Sequence, residues 1–282
     1  MNSTKRNILT LVFLFFFTVI YSQKKDSLRG NFTYLLKSKS NNLYPTNIYK
    51  ELFSLQISDS RSFFISENTL KFDSIFLSET KSISNGNSKV IDFRGKSLPK
   101  LNSNFVIIQS NDNVQFYGMV GMSLLSYIEP KIQDWKLVNE TKTINSLICK
   151  KAELSFKGRY WIAWYSTEIP FPYGPYKFGG LPGLIVKITD KQEDYDFELV
   201  KSIPSSVLKG KTIEIDKSRY ENSKVVTKNE LFKAKEDFRE NLSHSFENMG
   251  VVLTSEQREN LRQKEKTNEL EKKGYNPIEL ED

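Results

Sequence analysis

Apolar and polar residues alternate with a period of two through much of the chain between residues 49 and 204, and this pattern predicts β-strands. In YKELFSLQIS, Phe53, Leu55 and Ile57 fall on one face. After a turn at Asp59-Ser60 the segment RSFFIS runs back, which is typical of a hairpin. The same pattern predicts hairpins from NFVIIQS to VQFYGMV and from LIVKITD to DYDFELV. Strands do not alternate with helices, so we expect an antiparallel sheet of about eight or more strands.

Helical periodicity replaces this alternation in the last third of the chain. Thr227 and Glu230 form a capping box, and Leu231 and Phe238 then fall on one helical face. Residues 228–248 are therefore predicted to form an amphipathic helix that covers the concave face of the sheet.

A second capping box, from Thr254 to Gln257, predicts a further helix with a different character. Residues 256–273 contain only Leu261 and Leu270 as apolar residues, so this helix buries little surface. Residues 254–282 are accordingly predicted to be a charged extension of a domain that spans residues 23–253.

The predicted fold class is mainly β within the α+β class. It consists of a curved antiparallel sheet, an amphipathic C-terminal helix packed on it and a further charged helix. Residues 67–80 fit no single period, so helix and irregular structure both stay open for them. A sheet closed on itself in the outer membrane is the alternative, and the polar last third of the chain disfavours it.

The first 22 residues have the pattern of a secretory signal peptide. Lys5 and Arg6 precede an apolar run from Ile8 to Tyr21, and Ser22 is a small residue suited to cleavage before Gln23. A membrane anchor is the alternative, but the run is shorter than the roughly 20 residues that span a bilayer. We expect an exported protein of the periplasm or cell envelope, with no transmembrane segment after cleavage.

The charge of the remaining chain is modest. Removal of Lys5 and Arg6 with the first segment lowers the formal net charge from +7 to +5, and the lysines are scattered along the sequence. Nucleic acid is therefore not expected as a partner.

Residues that carry common catalytic chemistry are scarce. His244 is the only histidine and Cys149 the only cysteine, so neither a zinc cluster nor a disulfide is expected, and any Ser-His-Asp site must use His244. The acids from Asp190 to Asp196 are expected to form a solvated turn. No cofactor or metal is predicted, and an enzyme would depend on carboxylates such as Glu168 and Asp190.

A segment rich in proline and glycine, PFPYGPYKFGGLPG, precedes the predicted strand LIVKI. Prolines fix φ and glycines adopt conformations closed to other residues, so we expect a stiff structural corner. A preformed binding loop is the alternative, since rigid loops on a sheet often carry function. Gly183 would let the following strand start close to a neighbouring backbone, and Arg159 and Glu168 could tie the corner by a charge pair. The residues given this structural role are Arg159, Glu168, Pro170, Gly174, Pro175, Gly180, Leu181, Pro182, Gly183, Leu184 and Ile185.

Aromatic residues crowd around this corner. On a strand, Trp161 and Tyr165 would share one face and Trp164 the other, which indicates either packing in a core or one face that lines an apolar ligand cleft. The candidate ligand-binding residues are Trp161, Trp164, Tyr165, Tyr173, Tyr176 and Phe178.

Residues 179–185, GGLPGLI, resemble the signature of the GLPGLI family, a group of exported proteins from Gram-negative bacteria. The resemblance is close from residue 140 to 204, where it includes Cys149–Ala152, Phe156–Arg159, Trp161–Trp164, Glu168–Pro170, Gly174–Phe178 and Asp190. The ending Asn276–Leu280 also resembles the family. It implies export, but no established biochemical activity.

These patterns favour a non-catalytic cell-envelope protein that binds an apolar ligand or a partner protein beside the Pro/Gly-rich corner. A hydrolase that uses carboxylates is one alternative. An accessory subunit of an outer-membrane complex, with residues 254–282 as its docking arm, is another.

Overall fold

The structure is a computed structural model that describes residues 26–84, 95–248, 250 and 252–281. The predicted signal peptide, residues 1–22, and the predicted turn at Asn85-Gly86 lie outside these residues. Within them, no helix combines the length and the apolar character that crossing a bilayer requires.

The described chain is mainly β. Its strands are Gly30–Ser38 (β1), Tyr49–Ile57 (β2), Ser62–Ser66 (β3), Phe105–Gln109 (β4), Asn113–Val120 (β5), Ser123–Pro130 (β6), Lys136–Ile144 (β7), Leu147–Phe156 (β8), Arg159–Ser166 (β9), Leu184–Asp190 (β10), Tyr195–Ser202 (β11) and Lys224–Val225 (β12). They form one sheet in the order β12-β6-β5-β4-β3-β2-β1-β11-β10-β9-β8-β7. The sheet is open, with β7 and β12 at its edges.

The three predicted hairpins are confirmed as β2–β3, β4–β5 and β10–β11. The pairings among the described strands are antiparallel, with one exception. Strand β12 pairs parallel to β6, so the sheet is mixed and the prediction of a purely antiparallel sheet is wrong at this edge. The reason is that the chain returns to β6 from a distant segment, which leaves the direction of pairing free of the hairpin rule.

The helices are Glu67–Ser84 (α1), Ser205–Leu208 (α2), Lys228–Glu240 (α3), Leu242–Asn248 (α4) and Ser255–Lys272 (α5). Helix α1 settles the ambiguous segment. Both capping boxes are confirmed, at Thr227 and at Thr254. The single helix predicted over residues 228–248 is broken at Asn241, whose side-chain amide donates to the carbonyl oxygen of Asp237 and competes with the helical ladder.

The sheet buries apolar side chains on both faces of its middle strands. Phe64 and Ile107 point into the main core, whereas Phe63, Ile65 and Val106 point into a smaller core on the opposite face. These strands therefore lack the polar face that period-two alternation assumes.

The main face is covered chiefly by the Pro/Gly-rich segment between β9 and β10, which supplies Tyr173, Phe178 and Leu181 to the core. Helix α3 packs on β5 and β6 and adds the buried Leu231. The expectation that helix 228–248 covers the face needs correction, because α3 packs mainly on β5 and β6, near one edge of the sheet.

Candidate functional site

Residues 167–183, which we call the Pro/Gly segment, are held by hydrogen bonds of their own backbone. The amide of Gly180 donates to the carbonyl of Pro172 at 2.9 Å, and the amide of Phe178 donates to that of Pro175 at 3.1 Å. Tyr173 and Gly179 form an isolated antiparallel bridge. The segment is therefore a folded unit and not an open loop.

Side chains from the sheet fix the segment from below. The amide of Gln109 donates to the carbonyl oxygens of Tyr176 at 3.2 Å and Phe178 at 3.1 Å, and all three residues are buried. The indole N–H of Trp135 donates to the carbonyl oxygen of Gly179 at 2.8 Å. These bonds satisfy carbonyl groups that would otherwise be costly to bury.

Gly183 lies where the predicted close approach of two backbones occurs. A Cβ atom at this position would lie 2.2 Å from the carbonyl oxygen of Ser166, which is a backbone atom and cannot turn aside. The expectation for this glycine is confirmed. Gly180 adopts a φ of +88°, in the left-handed region that favours glycine.

The candidate ligand-binding aromatics separate into two groups. Trp161, Tyr165, Tyr173, Tyr176 and Phe178 are buried in the main core, and the rings of Trp161 and Phe178 lie 4.6 Å apart between centroids. Trp164 is half-buried and packs at the edge of this core, and the Lys142 amine is 5.4 Å from the centroid of its ring. The face proposed as a cleft is thus filled by the protein's own side chains.

Arg159 does not pair with Glu168. Its guanidinium lies 2.7 Å from Asp190 and 3.3 Å from Asp194, and both the Arg159 and the Asp190 side chains are almost fully buried. Glu168 instead accepts a hydrogen bond from the amide of Ile148 at 2.8 Å. The predicted charge pair is wrong because Arg159 begins β9 and Glu168 lies beyond its other end, and a strand extends about 3.3 Å per residue.

The carboxylate of Asp190 is fully engaged. One oxygen contacts Arg159, and the other accepts from the amides of Asp194 and Tyr195, each at 2.8 Å. This acid therefore closes the β10–β11 turn and has no oxygen directed at solvent.

A second buried ionic cluster surrounds Lys177, in the Pro/Gly segment. Its amine contacts the carboxylates of Glu129 and of Glu279, the latter at 2.6 Å, and donates to the hydroxyl of Tyr127 at 3.0 Å. Burial raises the pKa of Tyr127 far above its usual range, and the two nearby carboxylates raise it further. The phenol is therefore kept neutral.

Glu279 belongs to the C-terminal segment, residues 275–281, which packs back against the sheet. Burial opposes its ionisation, but Lys177 and hydrogen bonds from Tyr176 and Lys228 together lower the pKa of the carboxyl below its usual value. Sequence reasoning missed Lys177 and Glu279 as partners. The signal that pointed to them was the resemblance of Asn276–Leu280 to the ending of GLPGLI proteins.

The remaining candidates for chemistry are dispersed. His244 is exposed on α4, and Cys149 is buried in β8, where burial raises the pKa of its thiol. Over residues 26–84, 95–248, 250 and 252–281, no group of three or more His, Cys, Asp or Glu side chains is placed to hold a metal ion.

Lys235 of α3 is a further half-buried cation. Its amine lies 4.9 Å from the ring centroid of Phe116 and 5.9 Å from that of Phe232, above the space left by Gly118. Burial lowers the pKa of this amine to about 8.

The outer side of the Pro/Gly segment is exposed. We call this surface the proline ridge and define it by Pro170, Pro172, Gly180 and Pro182, which are all exposed. Phe171, between the first two prolines, is half-buried and packs edge-on against Phe32 at 6.0 Å. The ridge is thus an apolar surface on a fixed backbone.

Comparison with known proteins places this segment in context. A family model described as a protein of unknown function (Porph_ging) matches residues 157–187 of the chain. A comparison with curated proteins finds no match.

The chain also aligns partially with some solved structures. Two structures of PNGF-II align with TM-scores of 0.48 and 0.47 at 16% and 15% identity, over 74% of this chain and 33% of theirs. The chain thus spans about a third of the length of PNGF-II. An uncharacterised conserved protein from Thermus thermophilus aligns with a TM-score of 0.32 at 10% identity, over 71% of this chain and 91% of that chain.

Proposed function

We propose that this protein is an exported, non-catalytic protein of the cell envelope that binds a partner protein on the proline ridge. The observation that carries the proposal is the two-sided character of the Pro/Gly segment. Its inner side is held by Gln109, Trp135 and the core, and its outer side presents Pro170, Pro172 and Pro182 to solvent.

A ridge of this kind lowers the cost of binding. Ordering a loop on association costs free energy for each group immobilised, and a segment already fixed by its own fold avoids most of that cost. Proline-rich ligands in the polyproline II conformation dock into grooves lined by aromatic residues, and we expect the exposed prolines of this fixed backbone to be recognised by a similar groove. The expected partner is therefore a protein with a groove lined by aromatic residues.

An apolar small molecule is the second occupant considered for this region. The buried position of Trp161, Tyr165 and Phe178 gives it less support, because these side chains fill the space between the segment and the sheet. Native mass spectrometry of the purified mature protein tests it directly. A co-purified small molecule would favour this alternative over a partner protein.

Export rests on the N-terminal sequence pattern. The proposal places the mature protein in the periplasm or cell envelope of a Gram-negative bacterium, with a chain that begins at Gln23. N-terminal sequencing of the protein from an envelope fraction is the test. A chain found with Lys5 and Arg6 still attached would contradict cleavage.

A carboxylate-based hydrolase is supported less well by the geometry. Asp190 is buried and bonded through both oxygens, and Glu168 is engaged by the amide of Ile148. Among the described residues, the partners of these two acids are different, and no contact joins the two carboxylates. An accessory subunit has one observation in its favour, since α5 has no buried residue.

Site-specific photo-crosslinking separates these possibilities. A photoreactive residue is placed at Pro172 or Pro182 of the full chain, at Lys264 on α5, or at Met122, which is 74% exposed in the turn between β5 and β6. The proposal predicts a discrete protein adduct from the two ridge positions alone. An adduct only from Lys264 would support the docking arm, and the same adduct from Met122 would refute a specific ridge.

A further inference from the structure

Residues 275–281 occupy a groove in the way that a bound peptide occupies a recognition site. The segment runs along the ends of β1, β9 and β11 and the start of α3, and its backbone is anchored at both ends. The amide of Asn276 donates to the carbonyl of Ser40 at 3.0 Å, and that of Leu280 donates to the carbonyl of Lys157 at 2.9 Å.

The side chain of Asn276 fills the first pocket of this groove. Its amide nitrogen donates to the carbonyl oxygen of Lys39 at 3.0 Å and to Asp194 at 2.9 Å, while its amide oxygen accepts from Arg159 at 2.5 Å. Every donor and acceptor of the amide is therefore used. These side-chain bonds let the pocket distinguish asparagine from residues of similar size. The hydroxyl of Tyr195 adds a bond to the backbone carbonyl of Asn276 at 2.6 Å.

The side chain of Glu279 fills the second pocket. One carboxylate oxygen contacts the Lys177 amine at 2.6 Å and accepts from the Tyr176 hydroxyl at 2.7 Å, and the other lies 2.9 Å from the Lys228 amine. Two ammonium groups and a phenol form a site for one carboxylate. Between the two pockets, Ile278 packs against the main core.

The helix that precedes this segment is held far more weakly. Helix α5 has no buried residue, and its contacts to α3 and α4 include exposed pairs such as Lys272 with Glu240 and Arg258 with Glu247. Exposed ion pairs contribute about 0–1 kcal/mol each and are screened by salt. Helix α5 can therefore detach from α3 and α4 without exposing a buried side chain of its own.

We propose that the groove is a recognition site for the sequence Asn-Pro-Ile-Glu-Leu and that it accepts this segment from a second copy of the chain. In the monomer the chain's own segment fills the groove. When α5 swings out, its 18 residues reach about 27 Å, which is far enough to present the segment to a neighbouring molecule. The exchange is reciprocal, since each chain carries one groove and one segment. This proposal does not depend on the proline ridge.

The first test uses a labelled peptide of residues 275–281 with the full chain, either unaltered or carrying Glu279→Gln. The Glu279→Gln substitution weakens the binding of the chain's own segment to the groove. We therefore expect the peptide to bind the Glu279→Gln chain about tenfold more tightly than the unaltered chain. The control is the same peptide with Glu279→Gln. Equal binding of both peptides, or no binding to a variant with an unchanged melting curve, would overturn the recognition site.

The second test asks whether a second copy is the occupant. A full chain with Lys228→Glu keeps its segment but has an impaired groove, and a full chain with Glu279→Lys keeps its groove but has an impaired segment. Native mass spectrometry of the mixture is expected to show a 1:1 heterodimer in excess over both homodimers. Two folded variants that stay monomeric together at every concentration would exclude exchange between copies.

Discussion

At the scale of single residues, the Pro/Gly segment packs against the sheet because two of its glycines have no Cβ atom. Gly183 allows the start of β10 to approach the end of β9, and Gly179 leaves room for the Gln109 side chain. At the same scale, buried charges are balanced by partners from distant parts of the sequence. Lys177 and Arg159 are the two clearest cases.

Gly183→Ala is predicted to destabilise the protein by about 3 kcal/mol, because the added methyl group collides with a backbone oxygen that the sheet holds in place. Chemical denaturation measures the change in the free energy of unfolding. Gly118→Ala is the matched control, since its Cβ meets the flexible end of Lys235 at 2.9 Å, and a smaller loss is expected. Equal losses at the two positions would contradict this explanation.

Lys235→Met is predicted to stabilise the protein at pH 7 by about 1–2 kcal/mol, after allowance for the lost contact with Phe116. Burial lowers the pKa of the folded amine to about 8 from the usual value of 10.5. Below pH 8 the amine is charged in the folded and in the unfolded protein, so burying the charge lowers the free energy of unfolding. Between pH 8 and about 10.5 unfolding takes up a proton, so the stability of the unaltered protein rises with pH.

The measurement for Lys235 is the free energy of unfolding as a function of pH. The Lys235→Met chain is expected to lose the part of the rise between pH 8 and 10.5 that comes from this amine. Lys233→Met, at an exposed position of the same helix, is expected to leave the profile unchanged. A profile that Lys235→Met does not alter would show that the amine titrates at its ordinary pKa.

At the scale of elements, the Pro/Gly segment acts as the cover of the sheet and Gln109 is its tie to β4. Gln109→Ala is predicted to cost about 2–3 kcal/mol, because the carbonyl oxygens of Tyr176 and Phe178 lose their donor while they stay buried. Thermal unfolding followed by circular dichroism checks it. Gln115→Ala, which removes a half-buried donor to Ser126 on β6, is the control with the smaller expected loss. A larger loss of stability from Gln115→Ala than from Gln109→Ala would show that Gln109 does not hold the Pro/Gly segment on the sheet.

Elements set by local sequence could be predicted, whereas those set by distant contacts could not. The hairpins and the capping boxes depend on residues a few positions apart, and they are confirmed. Helix α1 has no clear period, because only part of one side, with Leu70, packs on the smaller core. The two-residue strand β12 gives too short a pattern to recognise.

The candidate site shows the same division. The close backbone approach at Gly183 follows from glycine chemistry alone. The cluster around Lys177 does not, because lysine is ordinarily exposed and its partner Glu129 lies 48 residues away in sequence. Aromatic residues near the corner are consistent with a core or a cleft, and only the three-dimensional arrangement shows that five of them are buried together.

At the scale of the whole molecule, two ionic clusters hold the C-terminal segment against one open sheet. Arg159 binds Asn276 and Pro277 of that segment, and Lys177 binds its Glu279. The Pro/Gly segment lies between the sheet and the outside, so its rigidity is what connects the fold to the proposed binding surface. The proposed binding surface therefore requires a rigid Pro/Gly segment.

Hydrogen exchange of the full-length protein, resolved to single amides, tests this claim most directly. The amides of Phe178, Gly180 and Ile185 donate to backbone carbonyls, and we predict that those of Phe178 and Gly180 exchange as slowly as core amides such as that of Ile185. The amides of α5 should exchange much faster. Fast exchange at Phe178 and Gly180, at rates like those of α5, would contradict a rigid segment and with it the proline ridge as a preformed surface.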